Sequence, residues 1–161
     1  MSDEWEEKAT EVCKQCGGRC CMDAHPPLTD ERIRIMTEND VSGDNIEFAG
    51  YKRLKVKEDN MCVMFKDNGL CAIHGFKPET CVAGPFTFDV KEGVIEIFMK
   101  KESICPLVAV LKQDRKAYDE QYKMAIDKIV RLVAFLPEEE LWTVCRIDEP
   151  ETEKVEDLII G

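Results

Sequence analysis

Four thiols fall within nine residues, Cys13-Lys-Gln-Cys16-Gly-Gly-Arg-Cys20-Cys21, in a stretch with almost no apolar side chains to bury. Something other than a hydrophobic core must hold such a segment, and cysteine thiolates are soft ligands for zinc and for iron. A Cys-x-x-Cys-Gly turn directs two sulfurs to one side, and its glycine lets backbone N–H groups point at the thiolates. The adjacent Cys20 and Cys21 fit one tetrahedral ion poorly, because neighbouring side chains point apart. Two irons of a cluster, two separate sites, or one ligand beside one structural or redox thiol suit that pair better. Cys62, Cys71, Cys81 and Cys105 stand near turn signals further along the chain. These eight are the candidate ligands of a metal centre, an iron–sulfur cluster or zinc, that gathers distant segments.

The other reactive side chains read more plainly. Cys145, within Leu-Trp-Thr-Val-Cys, reads as a packed core residue, and His25 and His74 read as hydrogen-bonding loop histidines despite the Cys71-x-x-His74 spacing. Arg19, Lys77 and the acids read as solvated surface. No Gly-x-Gly-x-x-Gly follows a strand, and no P-loop or Gly-x-Ser-x-Gly occurs, so phosphate-cradling and serine-hydrolase chemistry have no support. No catalytic residue is named, and whether the chain is an enzyme stays open.

Composition sets the setting for these thiols. A chain of 161 residues, 44% hydrophobic and 34% charged, is expected to fold as one α+β domain over residues 1–147, followed by an acidic tail over 148–161 that is either loose or docked through Val155, Leu158, Ile159 and Ile160 on this protein or another. A net charge of −11 without a Lys/Arg stripe argues against nucleic acid and anionic membranes as partners and leaves a protein partner as the expectation. Residues 1–12 lack a signal-peptide pattern, and no apolar run approaches the ~20 residues that span a bilayer, so a cytoplasmic location is expected. The cytosol keeps thiols reduced, which favours metal ligation over disulfides, and nine cysteines cannot all pair.

The elements that must position the thiols follow from periodicity. Trp5, Ala9 and Val12 predict an amphipathic helix over 3–14, leading into the cysteines and ended by Gly17 and Gly18. Thr29-Asp30-Glu31 predicts an N-cap and a helix over 30–38, and residues 39–45 a loop. Short strands are expected over 51–57 and 61–65, with a turn at Lys66-Asp67-Asn68-Gly69 that brings Cys62 and Cys71 close. Residues 71–81 predict a loop with one helical turn after Pro78, and 86–90 with 94–99 a hairpin. Spacings of three and four from Leu107 to Leu136 predict one long helix or two in sequence, ended by Pro137, and 138–145 a further short helix. The expected architecture is a small antiparallel sheet with cysteine-rich metal-binding loops, covered by C-terminal helices over 107–146.

The motif region 13–110 resembles a known family, the YkgJ-like cysteine-cluster proteins, also described as CxxCxxCC zinc- or iron-chelating domains and as Fe–S-cluster-containing proteins, with flagellin N-methylase among the relatives. The resemblance rests on Cys13 to Cys21, Pro27-Leu-Thr-Asp-Glu, Cys62-Val-Met-Phe, Cys71-Ala-Ile-His-Gly-Phe-Lys-Pro-Glu-Thr-Cys81 with Gly84-Pro85-Phe86, and Cys105-Pro106. It implies a small metal-binding domain, zinc or iron–sulfur, with the eight cysteines as candidate ligands, and the first functional expectation for this chain is a centre that organises the fold and acts in redox chemistry or in support of protein modification. Two alternatives are a protein-lysine N-methylase-related enzyme, by resemblance alone, and a structural zinc module for protein interaction. This chain places three residues between Cys16 and Cys20 where the short form has two. It also carries His74, Lys77-Pro78 and Cys81-Val82 where relatives often show Tyr, Arg-Pro and Cys-Arg.

Overall fold

The computed structural model describes residues 3–16, 24–66, 71–146 and 152–159. Helix α1, Asp3–Cys16, carries Lys14 in its last turn, where a cation complements the helix dipole. Its apolar face seats Trp5, Ala9 and Val12 in the larger of two apolar clusters. Helix α2, Asp30–Glu38, begins as its sequence predicts: the Thr29 hydroxyl accepts from the Arg32 N–H at 3.1 Å, with Asp30 and Glu31 in the first turn.

Strands β1, Ile46–Phe48, and β2, Lys52–Leu54, form an antiparallel pair in which Ile46 faces Leu54. The sequence reading missed β1, a three-residue strand with no full alternation to signal it. The turn between them passes through Gly50 at φ +82°, where an added Cβ would come within 2.7 Å of the Thr143 methyl. Leu28, Met36, Leu54, Cys62, Met64 and Ile73 form the second, smaller cluster around this pair.

Helix α3, Glu79–Ala83, follows Pro78 and is one turn long. Strands β3, Phe86–Lys91, and β4, Val94–Lys100, then form the predicted hairpin. Glu92 and Gly93 both take positive φ, the backbone that suits a two-residue hairpin loop. Ile95, Ile97 and Met99 alternate inward along β4 and reach the larger cluster.

The helical region is two helices: α4, Leu107–Gln113, and α5, Arg115–Phe135. Asp114 divides them, taking extended backbone while its carboxylate caps α5 at the Ala117 N–H, 3.2 Å away. Helix α6, Glu138–Cys145, follows Pro137. Its buried Glu140 accepts from the Lys52 backbone N–H at 2.9 Å and from Lys52 Nζ at 2.6 Å, which ties α6 to β2.

The acidic segment expected as a loose or docked tail is strand β5, Thr152–Ile159, which completes a three-stranded antiparallel sheet in the order β3-β4-β5. A register shift beside Ile97 and Phe98 leaves Val155 unmatched in the ladder. Such a bulge breaks the two-residue alternation that identifies a strand, so the inward residues Val155 and Leu158 stand three apart. Lys154 meets Glu96 of β4 at 2.9 Å and Asp157 at 2.8 Å, which offsets part of the acidic charge along the edge.

Candidate metal centre

Cys13 and Cys16 lie in the last turn of α1, which runs on through Cys16 beyond the end expected near residue 14. Residues three apart on a helix share a face, so this pair presents two sulfurs to one side. Cys13 packs against the larger cluster. Cys16, the last helical residue, stands at the carbonyl end of α1, where a cation is favoured. Cys20 and Cys21, together with the Asn68-Gly69 turn, lie outside the described residues.

Cys62 and Cys71 belong to the smaller cluster, Cys62 as one of its buried members. Each sits in a short antiparallel bridge, Cys62 with Val56 and Cys71 with Phe65, and the Phe65 N–H closes a turn onto the Cys62 carbonyl at 2.9 Å. Cys105 packs instead against the larger cluster, one residue before Pro106, which caps α4. Because α1 and α4 pack together, Cys13 and Cys105 belong to neighbouring elements.

Cys81 is the middle residue of α3, and both ends of that short helix are held by buried polar side chains. At its start, Glu79 is 3% exposed, and its Oε1 accepts from Arg32 Nε at 2.8 Å and Nη2 at 2.7 Å. Arg32 also donates through Nη1 to the Phe76 carbonyl at 3.2 Å, so one α2 guanidinium grips both the loop before α3 and its first residue. At the other end Gln121 of α5, 4% exposed, donates through Nε2 to the Val82 and Ala83 carbonyls, both at 3.1 Å. Its Oε1 accepts from Trp5 Nε1 of α1 at 3.3 Å. These acceptors are the terminal carbonyls that a helix leaves without intrahelical partners.

Glu79 and Gln121 were not singled out by the sequence reading. Their only signal lies in the pattern: Gln121 occupies an inward position of α5 between Ala117 and Ala125, where an apolar residue is expected. His25 hydrogen-bonds, as its reading suggests; its Nδ1 lies 3.2 Å from the Leu54 carbonyl, so Nδ1 carries the proton. Cys145 on α6 is partly buried, and burial pushes its thiol up from the ordinary value.

Among the described residues, no three His, Cys, Asp or Glu side chains gather around one point fit for a metal ion. Of the described candidate thiols, Cys13 and Cys16 lie on α1, Cys105 just ahead of α4, Cys62 and Cys71 in the smaller cluster, and Cys81 on α3. The chemistry of this donor set, thiols on partly buried elements, fits zinc or iron.

A family model of this composition, CxxCxxCC, described as "Putative zinc- or iron-chelating domain", matches residues 12–106. The chain belongs to the CxxCxxCC family. No curated protein matches the chain, and no solved structure does. The CxxCxxCC segment runs from the last turns of α1 to the start of α4, spans all eight candidate cysteines, and identifies a metal-chelating module. Helices α5 and α6 and strand β5 lie beyond it. Among the described residues, no helix is long and apolar enough to cross a membrane.

Proposed function

We propose that this CxxCxxCC protein holds an iron–sulfur centre on the thiolates of Cys13, Cys16, Cys20, Cys21, Cys62, Cys71, Cys81 and Cys105, and that the centre links the two apolar clusters. The observation that carries this reading is the distribution of the thiols. Cys13 and Cys105 pack on the larger cluster, Cys62 and Cys71 on the smaller. A centre drawing on both sets cross-links the two clusters. The vicinal Cys20-Cys21 favours a cluster over a single zinc, because two irons can take two adjacent thiolates that diverge. When bound, such a centre accepts and returns one electron; the chain orients the thiolates and partly shields them from water. The compartment that suits it is the cytoplasm, and a protein partner is the natural recipient of its redox or modification chemistry.

Structural zinc is the second reading, favoured by the same cross-linking, which needs no electron transfer. Anaerobic purification followed by elemental analysis and an absorption spectrum separates the two. Iron, sulfide and visible absorption are expected, whereas a colourless protein with stoichiometric zinc refutes the redox role. Either metal is structural on this reading. A structural zinc contributes ~10–16 kcal/mol to folding, comparable with the ~5–15 kcal/mol net stability of a domain. Chelation, or Cys16→Ser, is expected to unfold the N-terminal half; an unchanged melting curve after complete metal removal would overturn the structural role.

A further inference from the structure

We propose that Arg32 and Glu79 are positioning residues for the Cys81 thiolate and set how long the centre retains its metal. The proposal rests on the reading that Cys81 is a ligand. A five-residue helix is far below the ~12–15 residues at which isolated helices become marginal, so α3 takes its conformation from what holds its ends. Its first residue, Glu79, is buried beneath the guanidinium of Arg32, and the same guanidinium fixes the Phe76 carbonyl. Cys81 stands two residues past Glu79, and its N–H is committed to the Pro78 carbonyl at 3.0 Å. Displacement of Glu79 therefore turns the Cα–Cβ direction of Cys81.

Arg32 belongs to α2, the first described helix after the Cys13–Cys21 motif, so the ion pair also fixes the end of the Cys71–Cys81 loop relative to α2. The second oxygen of Glu79, Oε2, is buried without a hydrogen-bond partner among the described residues. Glu79 also lines a cavity of about 40 Å³ together with Thr29, Arg32 and Arg131. A carboxylate held this deeply with one committed oxygen serves orientation better than stability, since buried ion pairs seldom outweigh their desolvation. Groups that orient metal ligands typically change metal retention by ~10–100-fold when removed.

The test follows metal loss from the full-length holoprotein to an excess of a chromophoric chelator that reports zinc and iron. Glu79→Gln and Arg32→Met are compared with Cys81→Ala and with Glu140→Gln, which breaks another, somewhat more exposed ion pair between β2 and α6, elements without a candidate ligand. Glu79→Gln is isosteric, so it reports even where Arg32→Met does not fold. Loss about ten-fold or more faster than wild type is expected for Glu79→Gln, with Cys81→Ala at least as fast and Glu140→Gln within two-fold of wild type. Wild-type rates in Glu79→Gln would overturn the proposal while leaving the metal centre intact. Equal acceleration by Glu140→Gln would show general loosening and overturn it as well. An unaltered rate in Cys81→Ala removes Cys81 as a ligand and the proposal with it, and a wild-type protein devoid of zinc and iron removes the centre itself.

Discussion

Replacing Gln121 with leucine tests whether a single buried amide joins the helices that carry Cys13, Cys16 and Cys81. The side chain is 4% exposed, accepts from Trp5 on α1, and donates to the last two carbonyls it can reach at the end of α3. Leucine has similar volume, so the loss is chiefly polar. A hydrogen bond contributes about 0.5–1.5 kcal/mol net, and a buried polar group deprived of its partner costs about 1–3 kcal/mol. Three bonds of 3.1–3.3 Å meeting at one residue place the destabilisation at about 3 kcal/mol. For a chain of this size that is a fall of about 6–12 °C in melting temperature.

Thermal denaturation of the holoprotein, followed by circular dichroism, measures it. Trp5→Phe should lose a smaller share, because it removes one of the three bonds, and the double variant should lose less than the sum of the two. A fall under about 2 °C for Gln121→Leu, or strict additivity with Trp5→Phe, would refute the idea that the amide couples α1 to α3.

Two further outcomes follow from charge and burial. The hydrogen bond from Lys154 holds the Glu96 carboxyl below its ordinary 4.5, against an opposing push from burial, and Lys91 adds to the lowering. A lowered carboxyl favours the folded pairing above its unfolded value and loses that advantage as pH falls through the folded one. Strand β5 should therefore loosen as the pH falls below the ordinary 4.5 and through the lowered folded value, read as faster amide exchange over residues 152–159, and Lys154→Met should weaken that pH dependence, leaving the share due to Lys91. Burial raises the Cys145 thiol, so less thiolate is present near neutrality. Alkylation at Cys145, followed by mass spectrometry of the holoprotein, should be slower than that of free cysteine and should rise with pH at a higher midpoint.

Much of the fold could be read from local chemistry. Thr29 with Asp30 and Glu31 marked the start of α2, and Glu92-Gly93 with inward Ile95 and Ile97 marked the hairpin, because caps and turns act within a few residues. Asp114 did not resolve one helix from two: an acid within a three-and-four pattern looks like any solvated position until its backbone turns extended. Strand β5 was hidden for a different reason. Its apolar residues mark a segment able to dock, but the bulge puts Val155 and Leu158 three apart and the partner strand lies more than fifty residues earlier, so neither the strand nor its partner was legible.

The site divides in the same way. Cysteine density announces a centre, because four thiols in a polar stretch have little else to do, and the family match over residues 12–106 agrees with that chemistry. The groups that orient the ligands leave no comparable trace. Glu79 is one of 33 acidic residues, and only a contact with Arg32, forty-seven positions earlier, separates it from the solvated ones. Gln121 reaches Trp5 across a still longer span. Ligand types are thus legible from composition and spacing, whereas ligand geometry is set by long-range polar contacts. For this reason Glu79→Gln and Gln121→Leu probe the centre differently: the first is read by metal retention against the Glu140→Gln control, which subtracts the cost of opening a buried ion pair, and the second by stability directly.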